Sequence, residues 1–220
     1  MTTTAAPSGT DAGARPTGQE PAWVVALRDT INGTFAQVAA GKGAATLAEW
    51  RRGLGREPMG EPAMWKHIVP VADRVGDEHA GRRRRVEDAV HYALTLYATH
   101  QQSRPEPMHV DDGTSLGAAC RRLRDAVGSG EDGVRRRMYA AATADTVEEL
   151  TAHLRGLVTL LRGAKIPLDY GRLAREIAAW SSVDSRSRIR RAWGRDFEAR
   201  PSPDATDHTN QSASAAVDEL

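Results

Sequence analysis

The 220-residue chain has a single cysteine, Cys120, so it lacks the thiols for an internal disulfide or for a zinc site built from cysteines. It has no apolar run long enough to span a bilayer, and no charged start followed by an apolar stretch. We therefore expect a protein of the reducing cytoplasm with no membrane partner. Aromatic residues make up only 5%, but five of them are tryptophans spread along the chain. We expect these five to anchor separate packing layers.

The chain also lacks a set of catalytic or metal-binding residues. Residues 113–117 fit the G-x-S-x-G pattern of a nucleophile elbow, but they follow a proline-containing loop where that motif needs a strand. Residues 128–133 fit G-x-G-x-x-G, but they contain two acids that would repel a pyrophosphate. No two of the seven histidines are four residues apart, so no helical metal site is indicated. We predict no catalysis, no cofactor and no small-molecule substrate, and we interpret Thr114 or Ser115 as a helix N-cap.

Apolar residues recur with helical spacing through the middle of the chain. The first stripe contains Trp23, Leu27 and Ile31, each four residues apart, and no segment alternates with a period of two. Two Thr-x-x-Glu capping boxes, at residues 46–49 and 146–149, predict helix N-termini. The sequence therefore predicts an all-α fold, a bundle of about eight to nine helices in two lobes.

Composition suggests where the lobes begin and end. Both ends of the chain are rich in small and polar residues without an apolar period, so we expect two disordered tails, the second of them acidic. A stretch with two prolines follows the long central helix and cannot continue it. The predicted divisions are a disordered tail over 1–19, an N-terminal helical lobe over 20–104, a linker over 105–112, a C-terminal helical lobe over 113–199, and a disordered acidic tail over 200–220.

Only three of the basic residues are lysine, so almost all of the positive charge is arginine. The net charge is +1, but the first 20 residues carry −1 and the last 20 carry −4, which leaves +6 for the remainder. A GC-rich genome could by itself explain why arginine is used in place of lysine. These arginines are clustered, however: Arg51 with Arg52, a run over 82–85, and groups on later helices. The planar guanidinium suits bidentate phosphate contacts, so the repeated clusters favour a polyanion-binding surface over solvated helix faces.

Several short segments occur in a fixed order along the chain, at residues 47–56, 92–102, 115–117, 121–123, 166–170 and 193–197. None of them is diagnostic by itself. The ordered set covers about residues 21–198 and resembles the CasB-type small subunit of the type I-E CRISPR Cascade complex.

The resemblance implies a non-catalytic subunit that binds nucleic-acid backbone and stabilises the R-loop through the target and displaced strands. The implied partners are the repeated backbone subunit and the large subunit of Cascade, a second copy of the chain, crRNA, and target and non-target DNA. Arg51 and Arg52 match the family's motifs best as phosphate contacts. The other implied contacts are Arg121, Arg136, Arg137, Arg155, Arg186, Arg188 and Arg191.

Two other functions stay open at this point. A stand-alone helical DNA-binding regulator would need a recognition helix whose polar side chains read base edges. The arginine-rich helix faces here are poor in Asn and Gln, which favours backbone contact instead. A purely structural helical scaffold would instead use its arginines to pair with acids on partner subunits.

Overall fold

A computed structural model describes residues 20–76 and 80–200, so the predicted tails, apart from Arg200, lie outside the described residues. Within those ranges the chain forms nine α-helices and one isolated β-bridge, and the predicted all-α bundle is confirmed. None of these described helices is long and apolar enough to cross a membrane. The helices are α1 (Ala22–Ala39), α2 (Ala44–Arg52), α3 (Trp65–Ala72), α4 (Ala80–His100), α5 (Leu116–Val127), α6 (Glu131–Thr143), α7 (Val147–Ala164), α8 (Tyr170–Ala179) and α9 (Val183–Glu198).

One of the two predicted capping boxes is correct. The Thr146 hydroxyl accepts from the Glu149 amide at 3.1 Å, while the Glu149 carboxylate accepts from the amide of Asp145 at 2.9 Å. The other prediction is wrong, because α2 begins at Ala44 and places Thr46 inside the helix. A tight turn after α1 ends at Gly43, so the helix starts at once through two alanines, which are strong helix formers.

The long helix α4 lies at the centre of the bundle and packs against α2, α3, α7 and α8. Buried apolar residues form one core that extends from α1 to α9. The rings of Trp180 and Trp193 stack within it, with their centroids 5.2 Å apart. Trp65 is the exception among the tryptophans, since it is about half exposed at 47%. Because α4 contacts both α7 and α8, the halves share buried surface, and the boundary of the two lobes stays a prediction.

Helices α5 and α9 approach each other very closely. A Cβ atom at Gly117 would lie 2.3 Å from the carbonyl oxygen of Trp193, so only glycine fits there. One turn away, the Ser115 hydroxyl donates to Asp196 at 2.5 Å and accepts from the Ala118 amide at 3.0 Å. Ser115 is therefore the N-cap of α5, as predicted, and it also links α5 to α9.

Candidate nucleic-acid interface

Three arginines cover the C-terminal ends of α4 and α7. Arg51 donates to the carbonyl oxygen of Ala98 at 3.4 Å, and Arg162 donates to that of the next residue, Thr99, also at 3.4 Å. Arg104 donates to the Gly163 carbonyl at 3.5 Å. The last four carbonyls of a helix have no partner within the helix, and their partial negative charge attracts cations. We call Arg51, Arg104 and Arg162 the carbonyl-held cluster.

The carbonyl-held cluster keeps its positive charge. In the described part of the chain, none of its three arginines makes an ion pair, and the hydrogen bonds to the carbonyls are long. Arg162 and Arg104 also line one open cavity of about 360 Å³. A neutral carbonyl orients a guanidinium without cancelling its charge, so these groups can still bind an anion.

Two more of the predicted arginines lie beside this cluster. Arg52 is exposed at the end of α2, next to Arg51. Arg155 is exposed on α7, two helical turns before Arg162, and its guanidinium lies against the turn at Gly55 that follows α2. The structure therefore brings Arg51, Arg52 and Arg155 to one side of the bundle.

A second group of arginines surrounds the end of α9. Arg124 and Arg135 lie 3.4 Å and 2.6 Å from the carboxylate oxygens of Glu198, and both guanidiniums lie over the ring of Phe197. Arg124 also lies 3.1 Å from the carboxylate of Asp125. We call Arg124, Arg135 and Glu198 the acid-paired cluster. The ion pairs and ring contacts of these two arginines hold α9 against α5 and α6.

The predicted arginines of α5 and α6 lie around the acid-paired cluster. Arg121 donates to the Ala199 carbonyl at 3.4 Å, just beyond the end of α9. Arg137 is exposed and donates to the Gly133 carbonyl of its own helix at 3.0 Å. Arg136 is exposed and, within the described residues, has no side-chain partner. Within the described ranges, no hydrogen bond or ion pair joins these three to the carbonyl-held cluster.

The arginines of α9 have two different environments. Arg186 donates to the Asp145 carbonyl, and its side chain is only 16% exposed, so its guanidinium is already engaged within the chain. Arg190 joins the same corner, where it donates to the Ala144 carbonyl at 2.7 Å and lies over the Trp180 ring. Arg188 and Arg191 are exposed on the outer face, where Arg188 donates to the Ser185 hydroxyl at 3.1 Å. Geometry therefore favours Arg188 and Arg191 over Arg186 as phosphate ligands.

Sequence reasoning missed two members of the carbonyl-held cluster. Arg162 lies seven residues after Arg155, and this spacing of two helical turns was a signal that both share a face of α7. Arg104 lies in the loop after α4, where no periodicity applies, and only the fold brings it to the end of α7.

A buried polar pair lies under the carbonyl-held cluster. His100 is the last residue of α4, and its Nδ1 lies 3.0 Å from the Tyr170 hydroxyl oxygen. Burial lowers the pKa of His100 to about 3, and the nearby charge of Arg162 acts in the same direction. Burial also raises the pKa of Tyr170 well above its usual value. Both side chains are therefore neutral at physiological pH, and the cluster rests on an uncharged support.

Three side chains with the residue types of a metal site meet near the start of α8, namely His109, Asp111 and Asp169. The Tyr170 amide nitrogen lies 3.2 Å from Nδ1 of His109, and Nε2 of the same ring lies 2.8 Å from the carboxylate of Asp111. Arg28 fills the remaining space, 2.8 Å from Asp169 and 3.2 Å from Asp111. The charge of Arg28 compensates those of Asp111 and Asp169, so the arrangement is a set of ion pairs that ties α1 to α8.

The family model of the CRISPR-associated protein Cse2 matches residues 46–197, well over half of the chain. The chain belongs to the Cse2 family. The resemblance to CasB-type subunits that the ordered segments indicated is thereby confirmed. The match includes the carbonyl-held cluster, both arginines of the acid-paired cluster, and all of α9 except its last residue, Glu198.

Solved structures agree with membership of the Cse2 family. CasB from Thermobifida fusca is 33% identical over 82% of this chain and 100% of its own, with a TM-score of 0.72. CasB from M. ruber is 21% identical over 89% of this chain and 99% of its own, with a TM-score of 0.59. A chain of a CRISPR RNA-guided surveillance complex is 20% identical over 86% of this chain and 99% of its own, with a TM-score of 0.61. The last two show a shared fold. No curated protein sequence matches the chain significantly.

Proposed function

We propose that this Cse2-family chain is a non-catalytic subunit of the type I-E CRISPR RNA-guided surveillance complex, Cascade. In this role it binds nucleic-acid backbone and stabilises the R-loop through the target and displaced strands. Family membership supports the assignment to Cascade, as does the similar fold of a chain from a CRISPR RNA-guided surveillance complex. Its partners are the other Cascade subunits, a second copy of itself, crRNA and DNA.

The observation that carries the nucleic-acid role is the carbonyl-held cluster. Its three arginines converge on helix ends, are partnered by neutral oxygens, and are flanked by the exposed Arg52 and Arg155. Such a surface attracts phosphates whatever the base sequence, and its affinity falls as salt rises. A base-reading regulator would need donors and acceptors aimed at base edges.

The energetics of R-loop formation make a few such contacts sufficient. The RNA–DNA heteroduplex is about as stable as the DNA duplex that it replaces, so the exchange is nearly balanced. Each additional phosphate contact then shifts the equilibrium towards the open duplex. A subunit without catalytic groups can therefore promote target capture by binding backbone alone.

The test is to assemble the complex with an Arg51→Ala, Arg52→Ala variant of the chain and to measure the affinity of the complex for target DNA across a salt series. We expect unchanged assembly and a slope of log affinity against log salt that is smaller by about 1.4, from roughly 0.7 for each lost single-strand phosphate contact. The matched control is Lys42→Ala with Arg74→Ala, which removes two exposed cations outside both clusters.

Two results would overturn the proposal. If the arginine variant and the control retain DNA equally, these arginines do not contact phosphate. If the arginine variant fails to join the complex, the arginines pair with a partner subunit, as a structural scaffold requires. Thermal unfolding of each variant checks that the fold persists, because Arg51 donates one hydrogen bond to α4.

A further inference from the structure

Three other arginines line a cavity of about 610 Å³ at a corner of the bundle, where the starts of α1, α4 and α9 meet the end of α8. They are Arg82 and Arg85 of α4 and Arg175 of α8. Three serines, Ser181, Ser182 and Ser185, also line the cavity. We propose that this corner cavity binds a backbone phosphate of a nucleic-acid strand. The inference deepens the proposed function and rests on it.

The charge of the corner cavity is not compensated within the described part of the chain. Arg82 and Arg85 are exposed, and no described residue forms a hydrogen bond or ion pair with either. They lie three residues apart on one face of α4, where like charges repel. No acid among the described residues lines the cavity; the nearest described partner of Arg175 is Glu20, 4.0 Å away, and Glu20 also binds Arg28. An anion bound between the three guanidiniums would relieve this repulsion.

The hydroxyl side of the cavity supplies donors of a second kind. The Ser182 side chain accepts from the Ser185 amide at 3.4 Å as the N-cap of α9, which leaves its hydroxyl proton able to donate. The positive end of the α9 dipole adds to the field of the arginines. Guanidiniums together with hydroxyl donors match the several acceptor oxygens of a phosphate.

A strand suits this site better than an isolated anion, because the cavity continues into a row of cations. Arg188 donates to Ser185, a lining residue, and Arg191 and Arg195 follow on the exposed face of α9. With a rise of 1.5 Å per residue, Arg188 to Arg195 extend over about 10 Å of helix. A polymer of phosphates can occupy the cavity and the row together.

The charges of a neighbouring cavity indicate which way the nucleic-acid strand leaves the corner cavity. It has a volume of about 570 Å³ and shares Arg85 with the corner cavity, but its lining adds Asp88, Asp145 and Glu148. These carboxylates would repel phosphate. The strand therefore leaves the corner cavity along α9 and does not enter the groove between α4 and α7.

The test is photo-crosslinking in the complete complex with labelled target DNA. A photoreactive residue at Ser185 should crosslink to nucleic acid. One at Glu148, in the acidic cavity, should not, even though the substitution removes a repelling charge. Crosslinking of the Ser185 probe to a protein subunit, or equal crosslinking of DNA from both positions, would overturn the inference.

A charge variant gives the second readout. Arg82→Gln with Arg85→Gln should lower the salt slope of DNA retention by about 0.7, the value for one lost phosphate contact, with no change in thermal stability. The control Arg74→Gln with Arg84→Gln removes the same charge, and Arg84 lines the acidic cavity. Equal retention by both variants would refute the corner site. The proposed function would still stand if the Arg51→Ala, Arg52→Ala complex lost DNA, so the two failures are distinguishable.

Discussion

The carbonyl-held cluster and the acid-paired cluster both contain arginines near helix ends, but the arginines have different partners. These partners decide whether the positive charge is neutralised within the chain. In the first, arginines meet neutral carbonyl oxygens over 3.4 to 3.5 Å. In the second, Arg124 and Arg135 share Glu198 and cover the ring of Phe197. The first cluster keeps its charge for an external anion, whereas the second uses it to dock α9.

The difference shows that the number of arginines in a segment does not measure the charge available for binding. What decides is the partner that the fold supplies to each guanidinium. On α9 itself, Arg186 is engaged with Asp145 while Arg191, five residues later, is exposed. Nucleic-acid contact is therefore best predicted for arginines whose intramolecular partners are neutral or absent.

The largest effect is expected from separating α9 from α5, which would break the acid-paired cluster. Gly117→Ala places a methyl group against the backbone oxygen of Trp193, which cannot rotate away. We expect a loss of about 3 kcal/mol in the free energy of unfolding, at the upper end for overpacking. Urea denaturation measures it. The control Gly156→Ala, in a helical position with open space around it, should stabilise α7 by up to about 1 kcal/mol. Equal stability of the two variants would contradict the close approach.

Two buried groups of the core, His100 and Glu176, should respond oppositely to pH. His100 lies under the carbonyl-held cluster with a pKa lowered to about 3, so the unfolded chain binds its proton first as pH falls below about 6.5. Folding then loses stability on acidification, by up to about 2 kcal/mol between pH 7 and pH 5 from this group. Near the acid-paired cluster, burial raises the pKa of Glu176, whose carboxyl group accepts from the Trp193 indole. The stability that the protonated Glu176 gives to the fold is therefore lost as pH rises.

The measurement is urea unfolding of wild type and His100→Gln at pH 7, 6 and 5. The variant should lose less stability than wild type over this range. Hydrogen exchange at pH 5 should increase at the end of α4 before it increases in α9. An identical pH profile for wild type and His100→Gln would show that His100 is not kept neutral by the fold.

The fold was largely readable from the sequence because helices leave a local signal. The stripe through Trp23, Leu27 and Ile31 became the buried side of α1, and Ser115 and Thr146 became N-caps. The prediction of an N-cap at Thr46 was wrong because a capping-box motif identifies a side chain that can cap a helix, but the preceding turn determines where the helix begins. Two alanines after Gly43 let α2 start earlier than the motif implied.

The candidate site was less readable, because the partner of a guanidinium is set by tertiary contacts. Arg186 and Arg191 look alike in sequence, and only the position of Asp145 beside Arg186 separates them. Arg104 joins the carbonyl-held cluster through a loop that has no period. The run over residues 82–85 was visible as charge, but its meeting with Arg175 depends on how α4 packs against α8.

The smallest effect on stability and DNA retention is expected when the acid-paired cluster loses its carboxylate and so comes to resemble the carbonyl-held cluster. Glu198→Gln removes the acid that Arg124 and Arg135 share, and leaves an amide that can accept without cancelling charge. Since the pairs are partly exposed and screened by solvent, we expect only a small loss of stability. The freed guanidiniums should raise the salt slope of DNA retention by up to about 0.7. Asp132→Asn, an exposed acid without an arginine partner in the described chain, changes the net charge equally and is the control. An equal slope in the two variants would mean that overall charge, and not the partner of each arginine, governs retention.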